Sequence, residues 1–179
     1  EDIHKFEFIV DGYSDSDYAK DPIQRRSVSG FCSFLDGCVL NTKSRMQPIT
    51  SLSVTEAELI AATECAQDLL YVKNLLESIG LKVRTPMNLN IDNSGCIDLI
   101  CNWSAGGRTR HMDTRMYFLR ELKEEEPPIV MPLYCPTQLN RSDIFTKNTD
   151  SATFEEHVRA FCTDEIFDDN DNDSGGFKE

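Results

Sequence analysis

The longest regular pattern in the chain is an amphipathic segment, about residues 53–79, which predicts a single long helix. Ser53 and Glu56 have the spacing of a capping box, and Gly80 supplies a C-terminal stop. A helix with one apolar face must bury that face against other elements, and strand-like segments lie on both sides of it. The segment therefore predicts a helix packed on a sheet.

Strand signals precede this helix. Residues 6–14 contain "FEFIV", which is rich in aromatic and β-branched residues and predicts a strand. Residues 17–27 are polar and contain Pro22, which predicts a loop. Asp36-Gly37 joins two strand-like runs, "SGFCSFLDG" and "CVLNTKS", and predicts a tight hairpin.

After the long helix, strands and helices follow one another. The predicted elements are a strand at 87–92, helices at 93–101 and 109–124, a strand at 129–135, and helical segments at 140–147 and 151–162. Pro132, in the middle of the last strand, favours an edge position. The order predicts an α/β fold with a mixed sheet, in which sites gather at strand ends and at the helix starts that follow them.

The charge is strongly negative but unevenly distributed. The net charge is −13, and residues 163–179 contain seven acids and one Lys, which amounts to −6. Residues 1–162 therefore carry −7, and we predict one domain at 1–162 followed by a disordered acidic tail at 163–179. The overall sign argues against a nucleic-acid partner, but basic residues that bunch locally, such as Lys20, Arg25 and Arg26, leave that partner open.

The number and spacing of the cysteines and histidines limit the classes of protein to which the chain can belong. The seven cysteines include no C-x-x-C pair and the three histidines are scattered, which argues against a disulfide framework and a zinc site. No apolar run approaches the roughly 20 residues that a membrane-spanning helix needs, and the N-terminus lacks the pattern of a signal peptide. The sequence therefore predicts an intracellular protein with reduced thiols and no membrane partner.

Acidic residues fall where a site would form. Asp15 and Asp92 end predicted strands, Asp143 lies at the start of the last helical region, and Glu56 or Glu58 lies near the start of the long helix. Four such acids could converge on one point. The alternative for each is local, because Asp92 and Asp143 could instead cap the helices beside them.

The two glutamates differ in their direction on the helix. Glu58 lies about 60° from the centre of the apolar face, whereas Glu56 lies about 100° away. Glu56 also has the capping-box position after Ser53. The pattern therefore favours Glu58 as the residue that points toward the sheet.

Clustered carboxylates of this kind suit a divalent metal site. Carboxylate oxygens are hard ligands that bind Mg²⁺ or Mn²⁺. Two such ions about 4 Å apart can activate a water and stabilise the leaving oxygen of a phosphodiester. Without metal, packed carboxylates would repel one another and their pKa values would rise. The pattern therefore indicates a metal-dependent site.

Six sequence blocks resemble the ribonuclease H domain of copia-type retrotransposon polyproteins. They occur in family order and cover about residues 8–162: "YSDSDYA", "RRSVSGF", "SLSVTEAELIAA", "IDNSGCI", "RTRHMDTRMYFLRE" and "RSDIFTK". The resemblance implies a ribonuclease H-like fold, with a five-stranded mixed sheet flanked by helices. It also implies cleavage of the RNA strand of an RNA–DNA hybrid with two Mg²⁺ ions, or with Mn²⁺.

The resemblance assigns the catalytic and metal-binding set to Asp15, Glu58, Asp92 and Asp143. It implies that Asp15 bridges both ions, that Asp143 helps to hold the ion that activates water, and that Glu58 and Asp92 hold the other ion. Asp11, in "VDGYSD", is a rival for the first position, although the "YSD" match favours Asp15.

Further expectations follow from the same resemblance. Asn93 and Ser94 are candidate contacts to the hybrid, with helix capping as their alternative. A linked reverse transcriptase domain is an expected partner, and the expected location is the cytoplasm, a virus-like particle or the nucleus. The rival functions are a catalytically inactive module that binds hybrid or supports a polymerase, and another nuclease or an integrase on the same fold.

Overall fold

The computed structural model describes residues 6–102, 110–159 and 161, with no side-chain detail for 110–113. The elements are β1 Glu7–Phe8, β2 Val10–Asp17, β3 Val28–Leu35, β4 Cys38–Met46, α1 Val54–Ser78, β5 Lys82–Val83, β6 Met87–Ile91, α2 Ser94–Cys101, α3 Arg110–Glu124, β7 Val130–Tyr134 and α4 Ser151–Arg159. The predicted tail at 163–179, and the domain boundary before it, lie outside the described residues.

Five strands form one mixed sheet in the order β4-β3-β2-β6-β7. Strand β2 is central and pairs antiparallel with β3 and parallel with β6. Strand β7 pairs parallel with β6 at one edge, as Pro132 predicts. The five-stranded mixed sheet with helices beside it agrees with the α/β fold that the resemblance implies.

Local sequence preferences determine where the β3–β4 hairpin turns and where helix α1 begins and ends. Asp36 and Gly37 both have positive φ, 48° and 84°, which is the backbone of the tight turn predicted between β3 and β4. Ser53 is the N-cap of α1 and its hydroxyl accepts a hydrogen bond from the Glu56 amide at 3.1 Å. Gly80, with φ of 84°, follows the helix and permits the left-handed turn that ends it.

Helix α1 packs closely on β2 because small residues meet at the contact. Ala57, Ala61, Ala62, Cys65 and Ala66 are completely buried. A Cβ placed on Gly12 would lie 2.6 Å from the Cys65 sulfur, so only glycine lets the helix approach so near. This contact fixes the height of the whole helix above the strand.

The two faces of β2 meet different parts of the chain. Alternate side chains of a strand point to opposite faces. On one face, Gly12 meets Cys65 and Ser16 bonds to Glu58 of α1. On the other, the Arg141 guanidinium lies 5.3 Å from the centroid of the Tyr13 ring. A segment at residues 137–147 therefore packs on the opposite side from α1.

The predicted helix at 140–147 is not continuous. The structure has two short 3-10 turns, Thr137–Leu139 and Asp143–Phe145. Asn140 is fully buried, and its amide nitrogen donates to the Ser14 carbonyl at 3.0 Å while its oxygen accepts from the Ser142 hydroxyl at 2.6 Å. These bonds tie the segment to β2, and they replace helix bonds with side-chain bonds to neighbouring groups.

One basic residue from the sequence lies inside the protein. Arg120 of α3 is 2% exposed, and its guanidinium donates to the carbonyls of Ile100, Leu99 and Asn102 at the C-terminal end of α2. It therefore holds two helices together and does not belong to a basic surface. None of the described helices is both long and apolar enough to cross a membrane.

Candidate active site

Two of the predicted acids meet because β2 and β6 are parallel neighbours. Their register pairs Ser14 with Ile91, so Asp15 and Asp92 follow side by side at the carboxyl ends of the two strands. Neighbouring strands lie about 4.8 Å apart, which places the two carboxylates within contact range. The prediction that Asp15 ends its strand is wrong by two residues, since β2 runs on to Asp17. Pairing with β3 extends it, because Asp15 lies opposite Gly30.

Glu58 reaches the same point from α1. Its Oε1 accepts hydrogen bonds from the Ser16 hydroxyl at 2.7 Å and from the Ser16 amide at 3.1 Å. Glu58 is only 3% exposed, although glutamate side chains normally carry a charge and lie at the surface. The first turn of α1 therefore delivers a buried carboxylate to the end of β2, in agreement with the direction predicted for this residue.

The three carboxylates form a group that could hold a metal ion. Oxygens of Asp15, Glu58 and Asp92 all lie within 4.8 Å of one another. The other oxygen of Glu58, Oε2, is buried and has no hydrogen-bond partner among the described residues. A buried acceptor without a donor is costly, and a cation among these oxygens would satisfy it. The donor set fits a hard divalent ion.

Asp143 joins the site through a lysine. Its Oδ1 lies 3.3 Å from the Lys147 Nζ, which also lies 3.1 Å from Asp15 Oδ1. The Thr146 hydroxyl donates to the other oxygen of Asp15, Oδ2. Asp143 lies outside the group formed by Asp15, Glu58 and Asp92, but the Lys147 ammonium pairs with both Asp143 and Asp15.

Burial and the nearby charge of Asp15 raise the pKa values of Glu58, Asp92 and Asp143. Burial, reinforced by the charge of Asp15, raises the pKa of Glu58 to about 8 and that of Asp143 to about 6. The same two causes raise the pKa of Asp92. Although burial alone would lower the pKa of Lys147, Asp15 and Asp143 raise it, so this lysine stays charged.

Asn93 caps helix α2, whereas Asp92 does not. The N-cap of α2 is Asn93, whose Oδ1 accepts from the Cys96 amide at 2.8 Å. Asp92 instead accepts from the Thr137 hydroxyl at 3.0 Å. Asn93 therefore has a structural task, while its amide nitrogen and the exposed Ser94 lie next to Asp92.

The two rival acids lie apart from the group. Glu56 is turned toward the helix start, where its Oε2 accepts from the Leu52 amide at 2.7 Å. Asp11 is four residues before Asp15 on the same strand, which corresponds to roughly 13 Å. Within the described ranges, the acidic group that could hold metal contains neither residue.

Sequence reasoning missed the residues that support the carboxylates. Ser16, Thr137 and Thr146 donate to Glu58, Asp92 and Asp15, and Lys147 lies between two of the acids. Lys147 could have been noticed, because it lies four residues after Asp143 in the block "RSDIFTK". The threonines carry no signal in the sequence.

Comparison of sequences relates the chain to transposon polyproteins. Over 147 residues, or 82% of this chain and 11% of the other protein, it is 33% identical to the retrovirus-related Pol polyprotein from transposon TNT 1-94 of Nicotiana tabacum. Over 147 residues it is 26% identical to the retrovirus-related Pol polyprotein from transposon RE2 of Arabidopsis thaliana, covering 10% of that protein. The chain thus spans about a tenth of the length of these relatives. No family model matches the chain.

Comparison of structures agrees on the fold. LC11-RNase H1, solved in complex with an RNA/DNA hybrid, superposes with a TM-score of 0.57 at 15% identity, covering 76% of this chain and 93% of that one. An identity this low supports the fold alone. The arrangement of the carboxylates has to support the chemistry.

Proposed function

Because the chain has a ribonuclease H-like fold and is related in sequence to the Pol polyproteins of plant transposons, we propose that it is a ribonuclease H that cuts the RNA strand of an RNA–DNA hybrid. The observation that carries the proposal is the meeting of Asp15, Glu58 and Asp92, which come from three separate elements. A largely buried group of acids that repel one another has no structural benefit that would explain it, whereas metal binding would.

Two Mg²⁺ ions, or Mn²⁺ in their place, are the proposed cofactors. Asp15, Glu58 and Asp92 would hold one ion, and Asp15 with Asp143 would contribute to the other. When bound, the ions would supply a nucleophilic water and stabilise the leaving oxygen of the phosphodiester. The donor set supports this choice, since all four residues offer hard carboxylate oxygens.

The protein's own residues would set the geometry of the site. Ser16 fixes one oxygen of Glu58 through two hydrogen bonds, which leaves Oε2, without a partner among the described residues, available to a metal ion. Thr137 fixes one oxygen of Asp92 in the same way. Rigid carboxylates cost little reorganisation when the substrate arrives, which is the advantage of a preorganised site.

The substrate would be recognised beside the carboxylates. Asn93 and Ser94 follow Asp92, and we propose that the Asn93 amide nitrogen and the Ser94 hydroxyl contact the hybrid in its minor groove. Selection of RNA over DNA would depend on 2′-hydroxyl contacts, and phosphate contacts would set the register. A linked reverse transcriptase domain is the proposed partner within the longer polyprotein, acting inside the cell.

A cleavage assay tests the proposal. Labelled RNA–DNA hybrid should be cut only in its RNA strand and only with Mg²⁺ or Mn²⁺, while single-stranded RNA and double-stranded DNA stay intact. Asp92→Asn should abolish cutting and leave hybrid binding largely unchanged. Glu56→Gln is the matched control for Glu58→Gln, and it should retain activity that Glu58→Gln loses.

One result would favour the alternative function. If the chain binds hybrid but does not cut it at any concentration of either metal, the protein is a binding module that has kept the fold without the reaction. Equal activity of the Glu58→Gln variant and the wild type would also reject the proposed site.

A further inference from the structure

Lys147 lies between two of the four acids of the proposed metal site, Asp15 and Asp143. Its Nζ lies 3.1 Å from Asp15 Oδ1 and 3.3 Å from Asp143 Oδ1, so one ammonium group links the two carboxylates. The lysine side chain is 36% exposed, so it has an open path to solvent. An ammonium group and a divalent cation compete for the same oxygens, because both neutralise the same negative charge.

We propose that Lys147 holds Asp15 and Asp143 together in the metal-free protein and is displaced by the divalent cation that binds between them. This inference rests on the metal site of the proposed function. It assigns to the lysine the role of a counter-charge that occupies the position between the two carboxylates until the metal arrives.

Hydrogen bonds fix the backbone beside Lys147, whereas the lysine side chain is partly exposed and can rotate into solvent. The Thr146 hydroxyl donates to Asp15, and the Lys20 ammonium donates to the Thr146 carbonyl. The Thr146 amide also donates to the Asp143 carbonyl at 3.1 Å. The lysine can therefore leave by rotation of its flexible four-carbon stem, without movement of the segment that carries Asp143.

The two sides of the carboxylate group differ in their need for a cation. On the Glu58 side, Oε2 is buried and has no hydrogen-bond partner within the described part of the chain, so an ion can bind that oxygen without displacing a donor there. On the Asp143 side, Lys147 already neutralises part of the charge. The account therefore predicts ordered binding, with a first ion at Asp15, Glu58 and Asp92 and a weaker second ion at Asp15 and Asp143.

Titration of the full chain with Mn²⁺, without nucleic acid, tests this inference. Electron paramagnetic resonance of free Mn²⁺ counts the bound ions at each concentration. Lys147→Met should tighten the second site by about tenfold, which corresponds to about 1.4 kcal/mol. Lys147→Gln provides a second variant that keeps a polar side chain, and it should shift the second site in the same direction.

The control removes a lysine of equal exposure elsewhere. Lys43 is 37% exposed and pairs with Glu64 at 2.8 Å, so Lys43→Met changes the net charge by the same amount without touching the carboxylate group. It should leave both Mn²⁺ affinities within about twofold of the wild type. If the Lys147 variants also bind the second ion as the wild type does, the inference is wrong.

A second measurement uses the wild-type chain. Acetylation with a limiting amount of an amine-reactive reagent, followed by mass spectrometry, reports the accessibility of each lysine with and without Mn²⁺. Saturating Mn²⁺ should increase the labelling of Lys147 and leave that of Lys43 constant; unchanged labelling of Lys147 would overturn the proposal. The result is separable from the proposed function, because a chain that binds metal as described but cuts no hybrid refutes only the nuclease.

Discussion

Gly30 lies directly opposite Asp15 in the antiparallel pair of β2 and β3, and its missing side chain leaves room for Thr146. A Cβ on Gly30 would lie 2.6 Å from Thr146 Cγ2 and 3.0 Å from Phe145 Cβ. Thr146 in turn donates to Asp15 and precedes Lys147. One glycine thus lets the segment that carries Asp143 approach the strand that carries Asp15.

Gly30→Ala should push this segment away from the sheet. We expect a loss of about 2 kcal/mol in the free energy of unfolding, the usual cost of overpacking a tight contact, together with weaker Mn²⁺ binding. Chemical denaturation and Mn²⁺ titration measure the two effects.

Gly37→Ala is the matched control for that substitution. Gly37 has φ of +84° with open space around it, so alanine there costs roughly 1–2 kcal/mol through backbone strain alone. Its Mn²⁺ affinity should equal that of the wild type. Equal metal affinity in both variants would show that the contact at Gly30 does not position the site.

The buried carboxylate of Glu58 should destabilise the metal-free protein at pH values above 4.5, the ordinary pKa of a glutamate in the unfolded chain. Its pKa rises from 4.5 to about 8, so the native state holds one more proton than the unfolded chain between those values. Stability therefore falls as the pH rises through that window. Glu58→Gln should be more stable than the wild type at pH 8 by on the order of 2 kcal/mol, and the difference should shrink toward pH 5.

Denaturation at several pH values, without metal, measures this difference. Glu56→Gln serves as the comparison, because Glu56 accepts a hydrogen bond at the helix start and its replacement should not stabilise the protein. Saturating Mg²⁺ should stabilise the wild type more than Glu58→Gln. A Glu58→Gln variant that is less stable than the wild type at pH 8 would contradict the account of a strained carboxylate group.

Thr137 should protect Asp92 from protonation. Its hydroxyl donates to Asp92 Oδ2 at 3.0 Å, and this bond lowers a pKa that burial has raised. Thr137→Val keeps the shape and removes the donor, so protons should compete better with metal. At pH 6 the Mn²⁺ affinity should fall about fivefold, as expected for a hydrogen bond worth about 1 kcal/mol, and at pH 8 it should change little.

Thr137→Ser keeps the hydroxyl and should behave as the wild type does at both pH values. Titration with Mn²⁺ at the two pH values provides the comparison. An equal loss of affinity at pH 6 and pH 8 in the valine variant would indicate that Thr137 acts on packing and not on the charge of Asp92.

The sequence predicts the elements of this fold where local signals are strong. Ser53, Gly80 and Asp36-Gly37 mark ends and turns through their own backbone and side-chain preferences, and the structure confirms them. The two-residue strand β5 at Lys82–Val83 was missed, because so short a pairing leaves no periodic pattern. The copia-type resemblance correctly led to the ribonuclease H-like fold.

The site was harder to predict than the fold, for physical reasons. The sequence predicts that the first strand ends at Asp15, yet pairing with β3 continues it to Asp17. A helix was predicted from Asn140, but the Asn140 side chain bonds to Ser14 and prevents it. Lys147 was not identified from the sequence, and only the three-dimensional structure shows that it pairs with both Asp143 and Asp15. Such conflicts between local preference and final structure are expected at functional sites.

Anomalous diffraction from a crystal soaked in Mn²⁺ tests the central claim most directly, since it locates the metal relative to named oxygens. We expect a strong peak about 2.2 Å from oxygens of Asp15, Glu58 and Asp92, with Glu58 Oε2 among the ligands. A saturated crystal without a peak between these three residues, or with its peaks only at other acids, would contradict the account.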